Sequence, residues 1–368
     1  MRIVFDYQIF SLQACGGISR YITRLAEHLF AVEQDVKIFS PLHCNEYLAL
    51  LPASLRYGCR ISRKATKAMG LTLPYNHLAC RHKISAWKPD IVHETYFSAF
   101  DAKSNIPTVL TVYDMVHEQF PAQFSSFNRL SDYKRKAVQR ADHVICISES
   151  TRRDLHAVFD VPVDKVSVVH LGFDSFASHS LPVQTAFVAE SRPYLLFVGN
   201  RKGYKNFAGL LRAVALSPHL LRIFDIVAFG GGRFTSEEQA LIRSLGYHAP
   251  QVRQTGGSDV DLGRLYQDAA ALVYPSFYEG FGLPPLEAMA HNCAVVVSNT
   301  SSVPEVVGNA GEYFDPASPD DMLAAIERVV LSPEKTHELI GKGHERLRHF
   351  SWEACAQSTL DVYQNLLG

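Results

Sequence analysis

Short apolar runs recur along the 368-residue chain, and segments with helical spacing separate them. Runs of four to eight apolar residues between turn residues are typical of buried parallel strands. The alternation of such runs with helical segments predicts an α/β fold with parallel sheets. The predicted strands form two series: residues 2–6, 35–40, 91–94, 108–114, 143–148 and 166–172, then residues 193–200, 223–229, 252–257, 269–274, 294–297 and 312–315.

Residues 175–192 separate the two series and are rich in Ser, Ala and Pro without strong periodicity, which is typical of a linker. The pattern predicts one domain over 1–174 and another over 193–350, with a last helix over 351–368. Helical spacing also predicts helices after residue 17 and over 149–158, 258–268, 319–331 and 334–347.

Composition narrows the class of protein. The chain is 47% hydrophobic and 20% charged, with a formal net charge of −1, so no overall field attracts nucleic acid. Its seven cysteines are scattered and odd in number, which favours reduced thiols. No basic-then-apolar leader opens the chain, and no apolar stretch reaches the ~18 residues that span a bilayer. These features predict a cytoplasmic protein, peripheral at the inner membrane face if a basic segment binds lipid.

The segment 274–297 (YPSFYEGFGLPPLEAMAHNCAVVV) predicts a strand end, a glycine loop, a helix opened by Pro284 and Pro285, and the next strand. A glycine loop before a helix start favours anion binding. Glu279 and Glu287 flank that start, where they would repel a phosphate but accept hydrogen bonds from hydroxyls. Ribose, diphosphate and sugar follow one another in this way in a nucleotide sugar. The alternative is a solvated loop Glu279 beside a first-turn Glu287 favoured by the helix dipole.

The stretch EGFGLPPLEAMA resembles the E-x7-E signature of the retaining family-4 glycosyltransferases of GT-B fold. The resemblance implies two Rossmann-like domains facing across a cleft, with the last helix crossing back to the first domain. It also implies that Glu279 reaches the donor sugar and Glu287 the ribose. The loop that would face the sugar and diphosphate comprises Gly280, Phe281, Gly282 and Leu283.

Three further segments resemble that family. RKGYKNFAGLLRAV places Arg201, Lys202 and Lys205 between a strand and a helix. In the family an Arg and a Lys hold the diphosphate there, which implies Arg201 and Lys205. The strand 252–257 resembles the base-binding edge, which implies Arg253. GGISRYITRLAEHL resembles the N-terminal glycine loop near diphosphate and acceptor, which implies Gly16 and Gly17; a plain tight turn is the alternative.

TVYDMVHE resembles a strand end of the family's first domain, but Tyr113-Asp114 replaces the usual His-Asp. Ligands of parallel sheets bind beyond the carboxyl ends of strands. His117, three residues on, could therefore replace the histidine that touches the donor sugar; a structural role is the alternative. The His-Glu pairs at His93 and His117 lack the second histidine of a zinc motif, so zinc is not predicted.

Residues 259–261 read Asp-Val-Asp, a pattern that binds metal in other glycosyltransferases. Ser258 and Asp261 fit a helix capping box instead, and no metal is predicted. No cofactor is predicted either.

Residues 56–88 contain eight Lys or Arg and no acidic residue, with Tyr57, Tyr75 and Trp87 among them. Such a segment can lie on anionic lipid or bind a phosphorylated acceptor; a solvated surface is the alternative. Nucleic acid binding is not predicted.

The predicted reaction is the transfer of a hexose from a nucleotide diphosphate sugar, with retention, to a hydroxyl of a glycan or lipid-linked acceptor. The candidate catalytic residues are Glu279, Lys205, Arg201 and His117. The predicted sugar is mannose, and the predicted donor is GDP-mannose, ahead of UDP-hexoses. The predicted context is surface polysaccharide or lipopolysaccharide biosynthesis. The alternatives are a non-catalytic nucleotide-sugar-binding scaffold, or another GT-B enzyme such as a phosphorylase or an epimerase.

Overall fold

A computed structural model describes residues 1–62, 72–98, 105–124, 127–173, 192–201 and 203–368. The chain forms two compact units: residues 1–172 with 350–368, and residues 173–349. Lys202 and nearly all of the predicted linker lie outside the described residues.

The sheet of the first unit has seven parallel strands in the order β3-β2-β1-β4-β5-β6-β7. This order runs outward in both directions from β1 and β4, so connections leave opposite sides of the sheet at that point. Its strands are β1 (Arg2–Phe5), β2 (Asp35–His43), β3 (Arg56–Arg60), β4 (Ile91–Glu94), β5 (Thr108–Val112), β6 (His143–Cys146) and β7 (Val166–Val168).

Helices connect these strands as parallel pairing requires. Helix α2 has its apolar face buried through Tyr21, Ile22, Leu25 and Leu29, as the spacing predicts. The helices are α1 (Gln8–Leu12), α2 (Gly17–Ala31), α3 (Glu46–Leu50), α4 (Thr72–Trp87), α5 (Val116–Gln119), α6 (Phe127–Arg140) and α7 (Glu149–Val158).

The sheet of the second unit has six parallel strands in the order β10-β9-β8-β11-β12-β13. All five residues of its strand β8 are buried, which explains why the segment is a continuous apolar run rather than an alternating one. The strands are β8 (Tyr194–Val198), β9 (Asp225–Phe229), β10 (Val252–Thr255), β11 (Ala271–Tyr274), β12 (Val295–Ser298) and β13 (Gly311–Phe314).

Eight helices of the described residues belong to this part of the chain and cover its sheet. Four of them, α8, α9, α14 and α15, form an apolar core with the strands, with Phe197, Leu210 and Val273 among its members. The helices are α8 (Phe207–Ala215), α9 (Pro218–Ile223), α10 (Ser236–Ser244), α11 (Asp259–Asp268), α12 (Leu283–Ala290), α13 (Val303–Val307), α14 (Pro319–Val330) and α15 (Pro333–Leu347).

The last helix, α16 (Trp352–Leu367), belongs to the first unit, where it packs against α2. Tyr363 is fully buried, and its hydroxyl lies 2.5 Å from His93 Nδ1 in β4. The other ring nitrogen of His93 lies 2.8 Å from the Thr111 hydroxyl in β5. Contacts from Tyr363 through His93 to Thr111 therefore connect the C-terminal helix to β4 and β5.

We expect the first unit to lose stability in weak acid because of His93. Burial lowers the pKa of His93 to about 3, against an ordinary value of 6.5. Between these values the unfolded chain binds a proton that the folded chain does not, so the free energy of unfolding falls as pH falls. The expected loss is about 2 kcal/mol between pH 8 and pH 5.

Urea unfolding followed by tryptophan fluorescence measures this loss, since Trp87 and Trp352, the two tryptophans, both lie in the first unit. His93→Gln is the control and should have a shallower pH dependence. Some dependence should remain, because burial also lowers the pKa of His43, to about 4. An equally steep dependence in His93→Gln would contradict the assignment.

The basic segment 56–88 contains secondary structure that the apolar pattern does not predict, strand β3 and helix α4. Helix α4 buries Thr72, Asn76 and Cys80 rather than an apolar stripe. The Asn76 amide accepts from Leu42 N and donates to Leu42 O, at 2.9 and 2.7 Å, so polar contacts dock the helix onto β2. Within the described ranges, no helix combines the length and apolar content needed to cross a bilayer.

Candidate functional site

Two loops of the second unit meet at the carboxyl ends of β8 and β11, the adjacent strands from which the strand order runs in opposite directions. Ligands of open α/β sheets bind at this switch point. One loop comprises residues 199–201 and 203–206, and the other comprises residues 275–282. Phe277 N donates to Tyr204 O at 2.8 Å and holds the loops together.

Lys205 and Glu279 form the central pair of the site. Lys205 Nζ lies 2.7 Å from each carboxylate oxygen of Glu279, and their side chains are 14% and 9% exposed. Tyr274, at the end of β11, is fully buried beneath them. Burial, and then the charge and hydrogen bond of Glu279, raise the pKa of Tyr274 well above its ordinary value. Its hydroxyl therefore stays protonated beside a carboxylate that Lys205 neutralises.

Two serines that the sequence analysis did not single out fix the loop carrying Glu279. Glu279 N donates to Ser301 Oγ at 2.9 Å. Ser302 Oγ donates toward the carbonyl oxygens of Glu279 and Phe281, at 2.8 Å from each. Ser302 is fully buried, so the contact is shielded from water. The signal available in the sequence was the stretch SSVPEVVG, whose serines precede α13.

The helix that follows begins one residue before the predicted prolines. Gly282 is the N-cap of α12 with φ +108°, a conformation that favours glycine. Pro284 and Pro285 occupy the first turn and have no N–H. Backbone donors for an anion would therefore come from Gly282 and Leu283, together with the positive end of the helix dipole.

Glu287 lies in the same helix and is 8% exposed. The hydroxyl of Tyr266, from α11, lies 3.1 Å from Glu287 Oε2. The structure thus brings Lys205, Glu279, Glu287 and the loop 280–283 into one unit, on the loops at the switch point and the helix that follows.

Arg201 lies in a different environment from the one predicted. Its side chain is 3% exposed, and Nε donates to Glu238 Oε1 at 2.7 Å. Its terminal nitrogens donate to the carbonyl oxygens of Gly230 at 2.8 Å and Gly232 at 2.9 Å. The guanidinium therefore holds the glycine loop after β9, and its contact with a diphosphate remains a prediction.

Arg253 also differs from its predicted place beside the base. Its guanidinium carbon lies 5.8 Å from the ring centroid of Tyr194, and its charge acts on Asp225. Tyr194 and Asp225 are the first residues of β8 and β9. Arg253 therefore extends toward the amino ends of the strands, whereas the ligand site of such a sheet lies at the carboxyl ends.

Gly16, Gly17 and His117 belong to the first unit. Gly16 is the N-cap of α2, and a Cβ there would lie 2.5 Å from Gln13 Oε1, so a larger residue would displace that side chain. A Cβ at Gly17 would meet nothing within 4 Å. A Cβ would thus disturb only the end of a flexible side chain at position 16 and no atom at position 17, so crowding explains neither glycine.

His117 lies in α5, with its ring centroid 4.1 Å from that of Phe124. Its Nδ1 is buried and has no hydrogen-bond partner among the described residues. Burial lowers the pKa of His117 below its ordinary value, so the ring is neutral at neutral pH. The next residue, Glu118, forms a buried pair with Lys134 at 2.7 Å.

Tyr113 belongs to a buried polar network that sequence patterns did not reveal. Its hydroxyl donates to Thr95 O at 3.0 Å. Thr95 in turn donates to Asp6 Oδ1 from both its backbone N, at 2.9 Å, and its hydroxyl, at 2.6 Å. Asp6 and Thr95 follow β1 and β4, so this network closes the switch point of the first sheet.

The predicted capping box is confirmed. Ser258 Oγ accepts from Asp261 N, and Asp261 Oδ2 accepts from Ser258 N at 2.8 Å, at the start of α11. No group of three metal-ligating side chains occurs among the residues that the structure describes. Independence from metal remains a prediction.

Comparison with known proteins places this geometry in a family. A model described as "Glycosyltransferase Family 4" matches residues 15–175, and one described as "Glycosyl transferases group 1" matches residues 184–346. The O-antigen chain mannosyltransferase B of Escherichia coli is 32% identical over 247 residues. These are 63% of this chain and 62% of that protein, so less than two thirds of the curated relative is matched.

Solved structures match over nearly the whole chain. Sucrose-phosphate synthase from Thermosynechococcus elongatus has a TM-score of 0.76 at 20% identity, covering 99% of this chain and 98% of that one. Anabaena HepE in complex with UDP and glucose has a TM-score of 0.76 at 16% identity, covering 99% and 100%. These likenesses confirm the predicted fold class. With the two family models spanning most of its length, the chain belongs to glycosyltransferase family 4 and has the GT-B fold.

Proposed function

We propose that this protein transfers a hexose from a nucleotide diphosphate sugar to a hydroxyl of a glycan or lipid-linked acceptor, with retention at the anomeric carbon. The observation that carries the proposal is the Lys205–Glu279 pair at the switch point of the second sheet, with Glu287 on the adjoining helix. A cation and two carboxylates on these adjoining elements suit a ligand with hydroxyls on both sides of a diphosphate.

Each group then has a chemical role. The bond between the anomeric carbon and the diphosphate oxygen breaks, and negative charge develops on the leaving phosphate. Lys205 and the start of α12 stabilise that charge. The acceptor oxygen forms the new bond on the same face of the sugar, and its proton passes to the leaving phosphate oxygen. No protein nucleophile is required.

The carboxylates position the donor in this scheme. Glu279 accepts hydrogen bonds from sugar hydroxyls and Glu287 from the ribose. The ammonium of Lys205 carries three N–H donors, so Glu279 and the diphosphate can share it. Arg201 supports the loop after β9, and His117 is a candidate contact to the donor sugar from the first unit.

Mannose is the preferred sugar and GDP-mannose the preferred donor. The supporting relative is named an O-antigen chain mannosyltransferase, which also favours an acceptor in surface polysaccharide or lipopolysaccharide biosynthesis. UDP-hexoses are the second choice of donor, since the structure of HepE contains UDP and glucose. Neither metal nor cofactor has a role in the proposal.

Thermal unfolding against GDP, UDP, dTDP and ADP sugars, with magnesium or with EDTA, tests donor binding. A ligand at about 100 times its Kd should add about 2.7 kcal/mol of stability. We expect a rise of the midpoint with one base, equal in both buffers. If none of the sugar nucleotides raises the midpoint, the proposal is contradicted. Binding without transfer to any acceptor would favour the non-catalytic scaffold.

The basic segment supports a peripheral membrane location for a cytoplasmic enzyme. Helix α4 has no acidic residue, and its Tyr75 and Leu78 side chains are 53% and 67% exposed. Arg81 is exposed on the same helix. Lys83 Nζ lies 4.4 Å from the ring centroid of Tyr57, which is itself 43% exposed. Exposed aromatic and aliphatic groups among cations suit an anionic lipid surface.

Co-sedimentation with vesicles of phosphatidylglycerol and phosphatidylcholine tests this location. Arg81→Ala should lower the vesicle affinity about fivefold, since a basic residue at such a surface contributes about 1 kcal/mol. Arg243→Ala, an exposed arginine of the second unit, is the matched control and should bind as the wild type does. Equal binding to vesicles of pure phosphatidylcholine would contradict the charge-based attachment.

A further inference from the structure

A polar contact joins α11 to α12 inside the second unit. Tyr266 has no exposed surface, and its hydroxyl lies 3.1 Å from Glu287 Oε2. Glu287 is itself only 8% exposed, so its carboxylate depends on protein groups for hydrogen bonds. The tyrosine therefore supplies a hydrogen bond where burial is most costly.

His291 fixes the tyrosine ring. Its ring centroid lies 5.7 Å from that of Tyr266, with an interplanar angle of 29°. Its Nδ1 lies 2.7 Å from Glu287 O, and since a carbonyl only accepts, that nitrogen carries the proton. Gly263 leaves room for the imidazole, because a Cβ there would lie 2.9 Å from His291 Nε2. Tyr266 thus contacts the Glu287 carboxylate, while His291 packs on Tyr266 and bonds the Glu287 carbonyl.

The tyrosine acts as a donor over the working pH range. Burial first, and then the charge and hydrogen bond of Glu287, raise the pKa of Tyr266 well above its ordinary value. The hydroxyl stays protonated and donates to the carboxylate, which favours one orientation of the Glu287 side chain.

We propose that Tyr266 is a positioning residue for ribose recognition, holding the Glu287 carboxylate where the ribose hydroxyls of the donor reach it. This inference rests on the proposed function, in which Glu287 contacts the ribose. Tyr266 itself does not touch the ligand. It orders the carboxylate before the ligand binds, so binding loses less side-chain conformational entropy.

Titration calorimetry with a nucleoside diphosphate and its 2′,3′-dideoxy analogue tests the proposal. GDP and UDP are measured first, and the one that binds the wild type more tightly is used. Tyr266→Phe keeps the buried ring and removes only the hydroxyl. We expect it to raise the Kd of the ribonucleotide about tenfold, as loss of a hydrogen bond to a charged group does. The Kd of the dideoxy analogue should stay unchanged.

Tyr247→Phe is the matched control, since Tyr247 is buried in the same unit and its hydroxyl donates to a backbone carbonyl, Leu211 O, at 2.7 Å. It should leave both Kd values unchanged. In a Glu287→Gln background, Tyr266→Phe should have no further effect, because the two residues act as a unit.

A Tyr266→Phe variant that weakens both nucleotides equally would show a general structural role and overturn the inference. An unchanged Kd for both would overturn it as well. A wild-type protein that binds neither GDP nor UDP would remove the basis of the inference together with those two donors. That result is distinguishable, because it appears before any variant is made.

Discussion

Replacing Lys205 with alanine is expected to reduce turnover by about 10²- to 10³-fold, the usual effect of removing one group that stabilises developing charge. The ammonium lies at the switch point and is the charged donor that the structure places beside Glu279 there. Steady-state kinetics with the preferred sugar nucleotide measure the loss. Donor affinity should also fall, because the cation meets the diphosphate in the ground state as well.

The same change should destabilise the second unit, since Glu279 is 8% exposed and loses the partner of both its oxygens. A buried polar group without its partner costs about 1–3 kcal/mol. Lys205→Met combined with Glu279→Gln removes both charges and should recover most of that stability. It should not recover turnover. Calorimetric unfolding and kinetics on the same preparations separate the two effects.

Lys342→Ala is the matched control for the loss of a lysine. Lys342 pairs with Glu338 on the exposed surface of the same unit, so its removal should change neither turnover nor, measurably, stability. A Lys205→Ala enzyme within a factor of three of the wild type would contradict the site assignment.

Replacing Tyr363 with alanine is expected to lower the free energy of unfolding of the first unit by about 3–5 kcal/mol, the range for large buried aromatic residues. Tyr363 has no exposed surface and lies on the helix that joins the chain's last residues to the first unit. Its loss leaves a cavity against the central strands. It also removes the partner of His93 Nδ1.

Tyr363→Phe separates packing from hydrogen bonding. It keeps the ring and removes the hydroxyl, so the expected loss is about 1–3 kcal/mol, the cost of an unsatisfied buried group. Tryptophan fluorescence during urea unfolding reports both variants. Equal stability of Tyr363→Ala and the wild type would contradict the packing role of Tyr363.

The sequence predicts the elements that have a clear apolar run or a clear helical spacing. Strand β4 over 91–94 and helix α7 over 149–158 have the predicted bounds, and the two parallel series follow from the alternation of strands and helices. Predicted strands that ran past their ends, such as 108–114, stop earlier because ladder pairing ends at Val112, before Tyr113 turns into the buried network.

The remainder depends on contacts between residues distant in sequence. Lys205 and Glu279 are 74 positions apart. The apolar pattern indicates only that each follows a strand, and it is the family resemblance that assigns both to one donor site. Arg201 and Arg253 are both cations near strand ends in the sequence. In the structure Arg201 donates to backbone carbonyls, and Arg253 lies near the ring of Tyr194 at the amino end of β8. A residue type and a strand end predict the neighbourhood of a site, whereas the direction of a long side chain depends on which partner lies within its reach.

Retaining transfer from a nucleotide diphosphate sugar can be read from the anomeric configuration of the product. GDP-α-mannose, the purified protein and a mannoside acceptor are incubated in EDTA, and proton NMR of the early product distinguishes α from β linkages. The proposed chemistry predicts an α-mannoside, absent with Lys205→Ala. If GDP-mannose is not used, the UDP-hexoses are examined in the same way. A β-linked product, or no transfer from any sugar nucleotide that binds, would contradict the account.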